Sequence, residues 1–426
     1  MYFIFLTILL IWKLYTGEVR IRARTKHAAR VSLQIQEINK SPSISGDLLK
    51  DTLCALKRTT LQTRASKAGS ASLRNLWRLN NPFVSESYEL QQAYRTTLIR
   101  SFNHMDGETW TAIATAVSKS LRPLLLHQTN DASKPLTHLN LRDASRNATL
   151  AAVFHAFFNI VDVPSHRLTY IGTTIHRLTI AKKEFDSGIC ESSQLSSSLQ
   201  TSADDLLHDL RDLFSNTENP SLLAQHLLCT VSGSSEDFNP LNLLVPAFEA
   251  PWRAIFYTLL VTLQFGHLPS MPIRTIQQSF PQDVPSPAAQ AIVYESLRLY
   301  PPIRRVRGDD RVDIEAVHTA PSYWGSNSKV FDPKRFLDRS EENVDREMLR
   351  EGSPWMPFAV GKMKCPSAGG FSTRMIVVIA GEILRAIFTD ERKEWDMVGE
   401  EWDESARKGD MLRAGRDEYG GVDIVF

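Results

Sequence analysis

The chain has 426 residues, 42% of them hydrophobic, and a formal net charge of +1, so it is long enough to bury one large core or two smaller ones. No face rich in Lys and Arg interleaved with aromatic residues stands out, which disfavours nucleic-acid binding. The four cysteines, Cys54, Cys190, Cys229 and Cys365, are far apart and lack C-x-x-C spacing. Their spacing argues against a zinc site and a disulfide framework, and it favours a reducing compartment.

The chain opens with an apolar run from Tyr2 to Trp12, followed by Lys13 and a basic segment. These eleven residues are short for a membrane helix, which needs about 20, although a snorkelling Lys13 extends the run to about 15. Basic residues after the run favour keeping the rest of the chain on the cytosolic side. We predict a short membrane anchor over residues 1–16 and a single domain over residues 17–426. The alternative is a buried N-terminal helix or strand.

Most of the chain has the periodicity of helices. Apolar residues recur at three- and four-residue steps, which predicts a mainly α fold. Strand-like alternation is short, at 304–307, 312–316 and 422–426, and the Ser- and Asp-rich stretch 191–205 predicts an exposed loop. The predicted helices cover 48–63, 87–102, 109–126, 139–161 and 198–214.

An apolar run at 243–265 contains Pro246 and Pro251. Each proline removes a helical N–H, so we predict a kinked helix. Glu249 lies between them, and a carboxylate in a buried helix needs a partner. The pattern is as typical of an ordinary buried helix as of a catalytic carboxylate.

A helix with clear ends follows at 286–300. Ser286 is a good N-cap, Pro287 suits the first turn, and two prolines follow Tyr300. Inside it, Glu295 and Arg298 are three residues apart and so share a face. Taken alone, such a pair is typical of a solvated surface salt bridge.

Near the C-terminus, a lone cysteine, Cys365, follows Phe358 and Gly361 and precedes a long apolar stretch. A thiolate at the mouth of a helix is stabilised by backbone N–H groups and by the helix dipole. It can bind a soft or borderline metal, of which haem iron is one. A lone cysteine is also typical of a small buried hydrophobic residue.

Three segments, in this order, resemble signatures of the cytochrome P-450 family. The segment from Glu295 to Arg298 matches E-x-x-R, and Arg335 lies in a Phe-Asp-Pro-Lys-Arg-Phe segment that matches F-x-P-x-R-F. The cysteine segment matches F-x-x-G-x-R-x-C-x-G at three of its five fixed positions, which are Phe358, Gly361 and Cys365.

The resemblance implies a mainly α, cytochrome P-450-like fold with a small β portion and a haem b whose iron binds the Cys365 thiolate. It implies that Arg335 joins Glu295 and Arg298 in a buried network that holds the Cys365 loop. Buried charges of this kind are stable only when they are paired and hydrogen-bonded.

The same resemblance implies roles for three further residues. Phe358 would pack beneath the haem and shield the sulfur, and Gly361 would allow a tight hairpin. The run at 243–265 resembles the family's distal helix, in which Glu249 would relay protons to the haem.

The cysteine segment departs from the family pattern at two positions. Met363 stands where the family has an arginine, and Ser367 stands where it has a glycine. Lys362 or Lys364 would take over the arginine's contact with the haem carboxylates, although each is as typical of a solvated charge.

Two more departures concern activity and fold. Ala250 takes the position of a threonine whose hydroxyl helps to deliver protons in the family. Only 32 residues separate Arg298 from Phe331, which predicts a shortened fold. These departures motivate the alternative of a degenerate P-450-like protein that binds haem or keeps the fold without oxygenase activity.

The implied function is a haem-thiolate monooxygenase, an oxidoreductase that acts on a small apolar molecule. Electrons would come from a separate NADPH-dependent reductase, since the chain has no Gly-rich nucleotide motif after a strand. The tract at 312–325 is most similar to filamentous-fungal secondary-metabolism members, and the anchor would place the protein in the endoplasmic reticulum membrane, facing the cytosol. A helical scaffold without a cofactor would explain the composition but not the ordered motifs.

Overall fold

The structure, a computed structural model, divides the chain into two compact units, residues 1–51 and 52–426. The predicted anchor over residues 1–16 lies outside the described residues. Within the described part of the chain, every helix is too short or too polar to cross a bilayer. The described residues are 48–58, 74, 77–79, 81, 84–126, 138–186, 195–215, 239–266, 280, 285–307, 311–337, 352–361, 364–368, 370–388, 395–413 and 418–425.

Helices make up most of the described residues, which confirms the predicted mainly α fold. The helices are α1 (Leu48–Arg58), α2 (Tyr88–Asn103), α3 (Gly107–Leu126), α4 (Leu141–Phe158), α5 (Ser165–Asp186), α6 (Leu195–Ser215), α7 (Leu241–Glu249), α8 (Pro251–Gly266), α9 (Pro287–Leu299), α10 (Ile314–Thr319), α11 (Pro321–Trp324), α12 (Lys334–Leu337), α13 (Phe371–Ile387) and α14 (Glu404–Arg407).

The strands form two small antiparallel sheets. In the first sheet, the C-terminal strand β5 (Asp423–Val425) lies between β1 (His138–Asn140) and β4 (Asp396–Val398). In the second, β2 (Arg305–Arg307) pairs with β3 (Arg311–Asp313), and Val306 faces Val312 in the register. Two strands that we did not predict, β1 and β4, are only three residues long, too short for alternation to distinguish them from other structure.

The core is a packed group of four helices, α3, α4, α8 and α13, with α9 against α8 and α13. Both α8 and α13 are apolar nearly all round, and most of their residues are buried. A helix that is hydrophobic on every face is stable only when other helices surround it. These packed helices form the rigid frame from which the loops around Cys365 project.

Side-chain caps fix several helix ends. Ser286 accepts a hydrogen bond from the N–H of Ala289, and Pro287 occupies the first turn of α9. Ser87 caps α2 in the same way through the N–H of Leu90. The start of α9 predicted from Ser286 is therefore confirmed, and the capping role of Ser87 was not predicted.

The predicted kink at 243–265 is confirmed as a break between α7 and α8. Ala250 separates the two helices because Pro251, the first residue of α8, has no N–H to donate. Pro246 lies inside α7.

Two sequence predictions are wrong in part. The loop predicted at 191–205 is helical from Leu195 onward, because Ala203, Leu206 and Leu210 form a buried stripe behind a Ser-rich first turn. The strand predicted at 312–316 ends at Asp313, whose carboxylate accepts the Ala316 N–H and starts α10.

Candidate functional site

A tight hairpin presents Cys365. The Cys365 N–H donates to the Phe358 carbonyl at 2.9 Å, and the Lys364 N–H donates to the Gly361 carbonyl at 3.2 Å. Ala359 and Gly361 both have left-handed backbone conformations, with φ of 56° and 66°. Gly361 adopts that conformation without a steric cost, which explains why a glycine suits this position.

One serine hydroxyl lies beside the partly buried sulfur, and a second serine hydroxyl is bonded to the first. Cys365 Sγ is 3.0 Å from Ser367 Oγ. Ser372, at the start of α13, donates from its own hydroxyl to Ser367 Oγ at 2.5 Å. Tyr94 of α2 is buried nearby, and its pKa is raised, first by burial and then by the charge of Cys365. The phenol is therefore neutral.

Three hydrogen bonds from outside the hairpin hold its two arms. The Met356 N–H donates to His318 Nε2 at 2.9 Å, and Trp355 Nε1 donates to the Tyr294 carbonyl of α9 at 3.1 Å. On the other arm, Arg95 Nη1 of α2 donates to the Lys364 carbonyl at 2.5 Å. The cysteine is thus fixed relative to α2 and α9.

The structure brings Glu295, Arg298 and Arg335 together. Arg298 Nε and Nη2 each donate to one Glu295 carboxylate oxygen at 2.7 Å, and both side chains are 0% exposed. Arg335 Nε lies 3.4 Å from Glu295 Oε1, with 15% of its side chain exposed. Burial raises the pKa of Glu295, while the hydrogen bonds and charge of Arg298 oppose that shift.

Arg298 also fastens the downstream chain to α9. Its Nη1 donates to the carbonyls of His318 and Ser328, each at 2.6 Å. Arg335 likewise donates to the carbonyls of Trp324 and Asn327, each at 2.8 Å. One buried charge network therefore organises the segment from α10 to α12.

His318 joins this network to the cysteine hairpin. The ring is fully buried, and burial lowers the pKa of His318 to about 3, so the imidazole is neutral. Its Nδ1 lies 2.9 Å from the Arg298 carbonyl, which only accepts, so Nδ1 carries the proton and Nε2 accepts from Met356. We did not predict this role from the sequence; a lone histidine between β3 and the Arg335 segment was its only signal.

The sequence of the chain is similar to that of a curated protein over part of its length. No protein-family model matches the chain. A curated protein from Gerbera hybrida, cytochrome P-450 93B2, is 30% identical over 145 residues, which cover 30% of this chain and 26% of that protein. The match therefore spans about a quarter of the relative's length.

Solved structures match over most of the chain. The haem domain of cytochrome P-450DA matches with a TM-score of 0.56 at 16% identity, over 88% of this chain and 86% of that one. A triple-substituted variant of that domain matches with a TM-score of 0.52 at 17% identity, over 82% and 79%. The chain has the cytochrome P-450 fold. The resemblance to the family predicted from the sequence is confirmed.

The sulfur that the hairpin of this P-450 fold presents is a suitable ligand for a haem iron. A haem supplies four nitrogen ligands itself, so the protein needs to provide only an axial ligand such as a thiolate. Cys365 is a free, partly buried thiol, and its sulfur is within hydrogen-bonding distance of the Ser367 hydroxyl. Among the described residues, no group of three or more His, Cys, Asp and Glu side chains could hold a metal ion.

Glu249 lies at the α7–α8 break of the P-450 fold. Its Oε2 accepts a hydrogen bond from Trp252 Nε1 at 3.3 Å. Trp252 is buried, and the Arg146 guanidinium of α4 lies 4.6 Å from its ring centroid. The His176 ring of α5 packs against it in a T-shaped arrangement, with the two ring centroids 5.4 Å apart. The Glu249 carboxylate and the Trp252 indole thus lie on the same side of the α7–α8 break.

Of the residues predicted to lie near the haem carboxylates, the structure describes only one. Lys362 and Met363 lie outside the described residues. Lys364 is partly buried, and its pKa is lowered, first by burial and then by the charge of Arg95. Arg95 and Lys364 together place positive charge on the arm that leads to Cys365.

Proposed function

We propose that the protein is a haem-thiolate monooxygenase in which the Cys365 thiolate is the axial ligand of haem b. The observation that carries this proposal is the hairpin on a P-450 fold, in which the Cys365 N–H bonds to the Phe358 carbonyl and left-handed Ala359 and Gly361 turn the chain. When bound, the haem supplies the activation of oxygen.

The chain's own residues hold the sulfur and move protons. Phe358 shields the sulfur, and Gly361 allows the turn that presents it. The network of Glu295, Arg298 and Arg335 holds the segment to which the hairpin is tied. Glu249, at the α7–α8 break, relays protons toward the haem.

The partners and the place of action are also part of the proposal. The substrate is a small apolar molecule of secondary metabolism, and electrons come from a separate NADPH-dependent reductase. Residues 1–16 anchor the protein in the endoplasmic reticulum membrane with the domain in the cytosol. The order of the sequence motifs supports this interpretation, as does the confirmed resemblance to the family.

Replacing Cys365 by alanine is expected to abolish the Soret band at about 450 nm of the reduced carbon-monoxide complex, because thiolate ligation produces that band. The measurement is a difference spectrum of the purified protein after expression with a haem precursor. Cys54→Ala is the matched control, since Cys54 is the other described free cysteine and is also partly exposed. A band that persists in Cys365→Ala would rule out this ligand.

Ala250 favours a second candidate, a haem protein without oxygenase activity. Its methyl group offers no hydroxyl for proton delivery, and the neighbouring Glu249 carboxylate is bonded to Trp252. We expect Ala250→Thr to increase product formed per NADPH consumed by at least about tenfold, because it restores a hydroxyl to a proton-delivery step whose general acid–base contribution is typically about 10²–10⁴-fold. The measurement is turnover with a fungal reductase and apolar test substrates. If wild type forms product, and forms as much of it per NADPH consumed as the variant does, the second candidate is excluded.

A further inference from the structure

Cys365 has a hydrogen-bonding partner that the family pattern does not supply. The family has a glycine at the position of Ser367, so no side-chain hydroxyl is available there. In this chain, Ser367 Oγ lies 3.0 Å from Cys365 Sγ, which is within the range of hydrogen bonds to sulfur. Ser367 itself is partly buried.

The direction of this hydrogen bond follows from the next partner. Ser372 donates from its hydroxyl to Ser367 Oγ at 2.5 Å, and its N–H donates to the Ser367 carbonyl at 3.1 Å. A serine hydroxyl has one proton, so Ser367 accepts from Ser372 and points its own proton at the sulfur. A thiolate has no proton, so it can only accept. The order of donation is therefore Ser372 to Ser367 to Cys365.

Ser372 is well placed to fix this order. It occupies the first turn of α13, a helix of 17 residues that packs in the core. Its two bonds to Ser367, one from the side chain and one from the backbone, leave the Ser367 hydroxyl little freedom to rotate. The pair is therefore preorganised to donate to the sulfur.

We propose that Ser367 is a positioning residue that raises the reduction potential of the haem by donating a hydrogen bond to the Cys365 thiolate, with Ser372 fixing its direction. This inference rests on the proposed haem-thiolate function. The sulfur carries more negative charge when the iron is reduced, so a donor stabilises the ferrous state more than the ferric state. Hydrogen bonds to ligand sulfurs are an established determinant of redox potential. A weaker electron donor therefore suffices to reduce this protein.

Ser367→Ala is expected to shift the ferric–ferrous equilibrium toward the ferric state by roughly tenfold, because one charge-assisted hydrogen bond is lost. For a one-electron couple this is a potential more negative by about 59 mV. Ser372→Ala is expected to shift it less, in the same direction, and Ser367→Thr is expected to retain the wild-type value. The measurement is a potentiometric titration followed by absorbance, with the iron–sulfur stretching frequency as a second readout that should rise in Ser367→Ala.

Ser405→Ala is the matched control. Its hydroxyl bonds to Asp410 at 2.7 Å on the exposed part of the chain, so the potential should not change. An unchanged or more positive potential in Ser367→Ala overturns the inference while the band at about 450 nm leaves the proposed function in place. Absence of that band in wild type overturns both. If Ser367→Ala does not fold, equal potentials for wild type and Ser372→Ala overturn the inference.

Discussion

Replacing Arg298 by lysine is expected to lower the free energy of unfolding by about 3–5 kcal/mol, because several buried acceptors lose a hydrogen bond and each such loss costs about 1–3 kcal/mol. Lysine keeps the positive charge, but a point charge cannot reproduce the two parallel bonds to Glu295 at 2.7 Å. The carbonyls of His318 and Ser328 also lose a shared donor. Denaturant unfolding of the purified protein, followed by circular dichroism, measures this cost.

An exposed ion pair provides the control. Lys408 lies 2.7 Å from Glu404 one helical turn away, but the two side chains are 67% and 81% exposed. Lys408→Ala is therefore expected to cost less than about 0.5 kcal/mol. Equal costs for Arg298→Lys and Lys408→Ala would show that the Arg298 pair does not hold the fold together.

Features determined by neighbours in the chain could be predicted from the sequence. The start of α9 depends on Ser286 and Pro287, and the α7–α8 break depends on Pro251, so short patterns suffice for both. The Cys365 hairpin spans eight residues, from Phe358 to Cys365, and its glycine signals the turn. In each case the residues that fix the conformation lie within one short window.

Features that depend on distant partners could not be predicted. His318 and Met356 are 38 residues apart, and Arg95 and Lys364 are 269 residues apart. No periodicity links such positions, because the fold alone brings them together. The loop predicted at the start of α6 has a local cause, because the first turn of that helix is Ser-rich, whereas the apolar residues that predict the helix at 198–214 follow that turn.

The other large effect is expected at His318. His318→Phe keeps an aromatic ring in a fully buried position but removes both hydrogen-bonding nitrogens. The Met356 N–H then has no ring nitrogen to bond, and the Arg298 carbonyl loses a donor. We expect a loss of about 2–5 kcal/mol of unfolding free energy at pH 7, since each unpaired buried group costs about 1–3 kcal/mol. The band at about 450 nm should also weaken, because Met356 lies on the arm that leads to Cys365.

The pH dependence of the unfolding free energy tests whether the loss of stability in His318→Phe comes from the buried neutral imidazole. Its pKa is about 3 in the folded protein against an ordinary value of 6.5, so below pH 6.5 the unfolded chain binds a proton that the folded protein does not. Wild-type stability therefore falls by about 1.4 kcal/mol per pH unit through this residue as the pH decreases toward 3. His318→Phe has no imidazole to titrate, so its unfolding free energy does not fall in this way. The difference in unfolding free energy between wild type and His318→Phe should therefore shrink by about 2 kcal/mol as the pH is lowered from 7 to 5. The same substitution at exposed His166 of α5 should cost less than about 0.5 kcal/mol and show no such narrowing. A deficit of His318→Phe that is constant over this range would mean that the ring is not held neutral between Arg298 and Met356.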